Sequence, residues 1–234
     1  RLTIRLPLLL LLEATSVFLL HDLACMKKAA LHIFALAILL FGVLFTNSAF
    51  AEVFYPDENE LAFVERINEA RREPLAAAAK IGLDPRKVLA DFPDLEKILT
   101  QGLPPLTFNL QIYQAAAGHT AQMFDENYYD TIGPDGKTAE ERILEAGYTP
   151  RSVGETLGML AFVNLVRGEE AVDILFGNMY RDELDPNNES TRNILNPKFE
   201  DVAVSLVSGK WVLQGNVFNI YLATCDFALG ASST

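Results

Sequence analysis

The chain has 234 residues, half of them hydrophobic and 21% charged, with a formal net charge of −12. Residues 52–234 carry 15 of the 19 Lys and Arg and 29 of the 31 Asp and Glu, a formal charge of −14. With no basic excess to neutralise phosphates, this balance argues against nucleic acid as a partner. The same segment holds one cysteine, Cys225, and one histidine, His119. These counts exclude an internal disulfide and a zinc site with three or four Cys/His ligands. Any imidazole-driven nucleophile would have to run through His119.

Residues 1–25 match nothing that follows, and Glu13 interrupts their apolar run, so they read as an upstream extension. Met26-Lys27-Lys28 opens a second N-terminus, followed by an apolar run over 29–45 and the small-residue site Ala49-Phe50-Ala51. That layout predicts a signal peptide over 26–51 and an exported domain over 52–234, periplasmic or extracellular. The apolar run, ~17 residues, is short for a retained membrane span.

Within the mature chain, Leu61, Val64, Ile67 and Ala70 recur at spacing three and predict a helix over 58–73, ended by Pro74. Short helices are expected over 75–81, 85–89 and 91–100, forming an extra helical insert near 74–103. Asn109 is placed to cap a helix over 110–126, with Ile112, Ala115, Ala116, His119 and Met123 on its inner face. A turn follows at Gly133-Pro134-Asp135-Gly136. Thr138 with Glu141 makes a capping box for a helix over 139–146, and another helix is expected over 169–179. The last third turns to β: alternation over 201–208, a turn at Ser208-Gly209, a return over 210–214 and a third run over 217–227. Helices followed by a meander predict an α+β layered domain rather than a doubly wound one.

Six motifs in order carry a family resemblance, in the four stretches PPLTFNLQIYQAAAGHTAQMFDENYY, GPDGKTAEERILEAGY, GET and RNILNPKFEDVAVSL, the first and last of which each hold two. They resemble the bacterial branch of the CAP superfamily, the SCP-like domain of cysteine-rich secretory proteins, antigen 5 and pathogenesis-related 1. The resemblance spans residues 61–227. It implies a three-layer α–β–α sandwich with a small antiparallel sheet, and a cavity lined by two histidines and two acids that sometimes binds a divalent metal.

The chain departs at that cavity. Thr131 stands at the first histidine position, in Tyr128-Tyr129-Asp130-Thr131, and Ser190 at the second, in Ser190-Thr191-Arg192-Asn193-Ile194-Leu195. The acid of the G-E-N motif remains as Glu155, with Thr156 replacing Asn. The second acid has no assigned position; Asp182, Glu183 and Asp185 lie nearby in sequence. Hydroxyls are poor ligands for zinc, so no zinc site is expected, and the general bases for hydrolysis are gone. The expected cleft residues are Glu155, Thr131, Ser190, Thr156 and Asp130, with a hydroxyl of Thr131 or Ser190 partnering Glu155.

His119 is expected to be a packed structural histidine and Cys225 a buried, unreactive thiol. Trp211, Phe218, Phe162, Phe176 and Met179 read first as core packing. Asp182, Asp185, Asn187 and Glu189 offer oxygens that suit calcium, but their spacing is not an EF-hand, and a solvated acidic loop is the plainer reading. A retained scaffold without its histidines predicts a non-catalytic binding module for a small hydrophobic, cell-envelope or protein ligand, with no cofactor. The alternatives are a hydrolase acting on peptide or envelope material through Glu155, and a calcium-stabilised extracellular structural domain.

Overall fold

A computed structural model describes residues 54–164, 166–188, 192–213 and 215–231. The stretches 1–25 and 26–51, together with Glu189 and Ser190, lie outside the described residues. The first helix, α1 (Glu58–Arg72), starts at a capping box between Asp57 and Glu60. Its inner face is Glu60, Phe63, Val64, Ile67, Ala70 and Arg71. Leu61, expected in that stripe, is 46% exposed. Spacing three alone misplaced it, because the face turns about 100° per residue and runs through 60, 63/64, 67 and 70/71.

Pro74 ends α1 and occupies the first turn of α2 (Pro74–Lys80), where its missing N–H costs nothing. Two more short helices follow, α3 (Pro85–Asp91) and α4 (Glu96–Gln101), with a 3₁₀ turn (Pro93–Leu95) between them. Asn109 caps α5 (Leu110–Glu126) through Gln111 N and Ile112 N, and all five residues of its expected inner stripe are buried. Thr138 and Glu141 form the expected capping box of α6 (Ala139–Glu145). The helix expected to end at Met179 continues to Glu183 as α7 (Gly168–Glu183).

Four strands, β1 (Thr107–Phe108), β2 (Pro150–Phe162), β3 (Asp201–Leu213) and β4 (Asn216–Gly230), form one sheet in the order β1-β3-β4-β2. Two features correct the sequence reading. The sheet is mixed rather than antiparallel, because β1 pairs with β3 in parallel. The expected three-strand meander is two long strands, paired from Asp201↔Ala228 to Leu213↔Asn216, so the turn follows Leu213 rather than Ser208. Gly209 is a strand residue, and it is glycine because Phe124 of α5 packs on it. A Cβ there would lie 2.5 Å from Phe124 Cζ. The turn glycine is Gly215, at φ +79°.

The strand β2 escaped notice for a physical reason. Helices cover both faces of the sheet, and along β2 Gly154 and Gly158 interrupt any period-two alternation. On one face α1 and α7 pack on Val202, Val204, Ala223, Cys225 and Phe227. On the other, α5 and α6 pack on Ala203, Trp211, Ile220, Leu222 and Ala228. This is the three-layer α–β–α sandwich. Phe176, Met179 and Trp211 are core residues, and the Cys225 thiol is buried and free.

Candidate functional site

Alternation along β2 sends neighbouring side chains to opposite faces. Gly158 faces α7, where an added Cβ would collide with Met179. Glu155 faces α5 and α6. Its register partner on β4 is Asp226, which has no exposed surface. From α6, Arg142 Nη2 donates to Glu155 Oε1 at 2.6 Å, with side-chain exposures of 10% and 5%. The same guanidinium is oriented by the carbonyls of Lys137 at 2.8 Å and Thr131 at 3.2 Å. The expected partner of Glu155 was a hydroxyl; the observed one is this arginine.

Two buried carboxyls share one cation, so one carboxyl is neutral. Glu155 Oε2 and both Asp226 oxygens meet no donor among the described groups, yet the two carboxyls lie within hydrogen-bond reach of each other. One proton held between them gives Glu155 Oε2 a donor and leaves the second Asp226 oxygen without one among the described groups. Burial drives the Asp226 carboxyl well above the usual range, and the neighbouring Glu155 adds to this, so Asp226 carries the proton. Burial also raises Glu155, opposed by Arg142. The cluster is a charge-neutral unit of Arg142, ionised Glu155 and protonated Asp226.

His119 sits beside this unit on α5. Its Nε2–H donates to Asp130 O at 3.0 Å, and its Nδ1, at 3.4 Å, shares the Tyr128 hydroxyl proton with Gln122 Oε1 at 3.3 Å, the tautomer being assigned from these partners. Burial first, and then the Arg142 charge, pull it down to about 4. It is a neutral, fixed histidine, as its packed position in the helix implies. Because its folded value lies below its unfolded value near 6.5, its stabilising contribution is complete above pH 6.5. That contribution is lost as pH falls toward 4. His119→Asn should therefore cost most at pH 7.5, and the cost should shrink by on the order of 2–3 kcal/mol by pH 4.5 in urea titrations.

Thr131 is exposed and lines an open pocket of about 360 Å³ together with Ile132, Glu140, Val153, Glu155 and Asn193. Thr156 points to the opposite face of β2, where its Oγ1 accepts from Asn193 Nδ2 at 2.8 Å. Asp130 is exposed and uses its carboxylate to receive Ile132 N, so it does not reach the pocket. Ser190 lies outside the described residues. Of the expected cleft set, then, the structure brings Glu155 and Thr131 together and turns Thr156 and Asp130 elsewhere.

The calcium candidates do not form one loop. Asp182 is the penultimate residue of α7, and the Asp185 carboxylate receives Asn187 N and Nδ2 in a local turn. Glu189 lies outside the described residues. Among the described residues no three His, Cys, Asp or Glu side chains converge as metal ligands.

Glu183 is buried but lies on the α7 side of the sheet. It receives the backbone N–H groups of Asn193, Ile194 and Leu195 at 2.6–3.2 Å, and burial raises it to about 7. Asn193 then reaches Glu155 O at 3.1 Å. A Cβ on residue 154 would strike the Asn193 amide, so Gly154 is what lets this contact close. Glu183 and Asn193 thus hold the Asn193–Leu195 turn against β2 and set the pocket's rim.

The Cysteine-rich secretory protein family model matches residues 64–227. The chain belongs to this family. Among solved structures, an outer surface protein from Borrelia burgdorferi is similar at TM-score 0.43 and 11% identity, over 76% of this chain and 97% of that one. An extracellular protein containing an SCP domain from Bacillus anthracis is similar at TM-score 0.37 and 18% identity, over 75% of this chain and 44% of that one. No curated protein matches the chain.

Two residues of this family member's site were missed in the sequence. Arg142 sits inside the stretch GPDGKTAEERILEAGY, quoted for the resemblance, but nothing in its surroundings marks it as a cleft residue. Asp226 had a legible signal, as the only charge in the apolar run LATCDFALG. An unaccompanied acid in a doubly covered strand must be neutral or paired.

Proposed function

We propose that this member of the family is an exported, non-catalytic binding module whose cleft beside Glu155 holds a small hydrophobic, cell-envelope or protein ligand. The observation that carries the reading is the commitment of the cleft's acid. Glu155 is neutralised by Arg142 within hydrogen-bond distance, and the guanidinium is fixed by two carbonyls. A general base must be free to take a proton from substrate or water. His119 is likewise engaged at both ring nitrogens. What remains at the surface is a pocket with apolar Ile132 and Val153 beside polar Thr131 and Asn193, a mixture suited to holding a ligand. Export rests on the signal-peptide layout of residues 26–51.

The test is a thermal-shift screen of the full chain against fatty acids, envelope fragments and peptides, repeated on Thr131→Trp, which fills the pocket from an exposed position. Ligands that raise the melting temperature of the parent and not of Thr131→Trp are the expected result. A screen in which nothing binds, or in which Thr131→Trp binds equally well, refutes the pocket as the site.

A further inference from the structure

Helices cover both faces of the sheet, so its edges decide what else can meet it. The edge of β3 is occupied. Thr107 N donates to Glu200 O and Asn109 N to Val202 O. Further along, the Glu60 carboxylate receives Leu206 N at 2.8 Å, and the Asn127 amide pairs with both backbone groups of Val212. These contacts break the edge at Val202, Leu206 and Val212, leaving Ser208 and Lys210 as its longest outward-facing run without a partner among the described residues.

The edge of β2 is different. Ala228 O accepts from Glu200 N on the β3 side, so even-numbered residues of β4 turn their backbone groups to β3. Ala223, Cys225 and Phe227 therefore bond to β2, where their register partners are Gly158, Thr156 and Gly154. That leaves Val153, Glu155, Leu157 and Met159 with N–H and C=O directed outward. Asn193 Nδ2 reaches Glu155 O from that side, as this alternation requires. Among the described residues nothing else bonds to the outward groups of Val153, Leu157 or Met159.

Two pockets lie end to end along this edge. One, of about 360 Å³, is lined by Val153 and Glu155, with Thr131 and Ile132 as its wall. The other, of about 320 Å³, is lined by Leu157 and Met159, with Tyr129 on one side and Asn178 and Asp182 of α7 on the other.

We infer that β2 is the docking edge for an extended basic peptide of another protein, which adds to the sheet as a fifth strand. A row of outward donors and acceptors recurring every second residue fits an extended polypeptide and no small molecule of comparable length. Charge sets the sign. Glu140 and Asp182, in the two pockets, are exposed and form no ion pair among the described residues; Arg181 also lines the second pocket and keeps its charge, its guanidinium donating to the neutral carbonyl of Ile81. Arg142 is cancelled by Glu155. The charge of −14 over residues 52–234 repels a second copy of the chain and attracts a cationic segment. This inference rests on the binding reading above and names its partner class.

The experiment uses the full chain and an array of decapeptides with Lys or Arg at alternate positions and the other positions varied. Fluorescence polarisation on the array's binders is then repeated with alternate amides N-methylated, which removes edge hydrogen bonds and leaves every side chain. A tenfold or greater loss is expected. Leu157→Pro removes an outward N–H that β4 does not use, as edge strands tolerate. It should weaken binding equally while lowering the melting temperature, because Leu157 also packs on the Met123 and Trp211 cluster; if it fails to fold, the N-methylated peptides decide alone. An array without binders, or binders indifferent to N-methylation, overturns the inference. So does concentration-dependent dimerisation in ultracentrifugation that Leu157→Pro abolishes, since a second copy is then the occupant. Fatty acids or envelope fragments that bind while no peptide does leave the binding module standing and remove only this inference.

Discussion

Arg142→Met is expected to destabilise the domain by about 3–5 kcal/mol at neutral pH, the usual cost of removing one partner from a buried ion pair. Glu155 keeps its burial but loses its cation, and the carboxyl left beside it on β4 is that of Asp226. The double variant Arg142→Met/Glu155→Gln should recover much of the loss, because no buried charge then remains. Asp226→Asn tests the proton directly. A folded value raised above the unfolded one means that Asp226 stabilises fully below about pH 3.9. That contribution is lost as pH rises through the folded value. An amide does not titrate, so Asp226→Asn should be at least as stable as the parent at pH 7, and its advantage should grow with pH. Chemical denaturation of the variants from pH 4 to 9 measures both effects. An Asp226→Asn variant whose advantage over the parent stays flat or shrinks as pH rises would show that Asp226 is ionised in the fold.

Arg71→Met is expected to cost about 4 kcal/mol or more, a large share of the stability of an ordinary domain. Arg71 is 1% exposed, and among the described residues its guanidinium donates to no carboxylate. It donates instead to the carbonyls of Pro104, Ile194, Asn196 and Phe199. Burial lowers it to about 10, so it stays charged at neutrality. Four carbonyls, those of Ile194 and Phe199 buried, would lose their donor at once, and the turn that carries Asn193 would lose its anchor to α1. Arg71→Lys should rescue only part of the loss, because an ammonium cannot reproduce the planar fork. Equilibrium unfolding of the three proteins decides it, and an Arg71→Met variant within 1 kcal/mol of the parent would refute the role.

The helices were legible because their signals are local. Asn109 and Thr138 cap the helices they were expected to cap, and the stripe from Ile112 to Met123 is buried throughout. β2 was hidden because its half-buried residues carry no period-two alternation and are interrupted by Gly154 and Gly158, and the Gly209 turn was misplaced because glycine there answers to the Phe124 ring rather than to a turn. At the site, Glu155 was found from its motif. Its partners were not, since Arg142 arrives from α6 and Asp226 from β4, and only the folded register brings all three together. Glu183 showed its acid in the sequence, but its work of receiving the Asn193–Leu195 backbone is invisible without the fold.

Native mass spectrometry of the full chain, incubated with the ligands that raise its melting temperature, separates holding from turnover most directly. The expected spectrum is a one-to-one complex whose released ligand has an unchanged mass after hours at pH 7. A released ligand that is cleaved by the parent and left intact by Glu155→Gln would contradict the binding reading and make Glu155 a catalytic base.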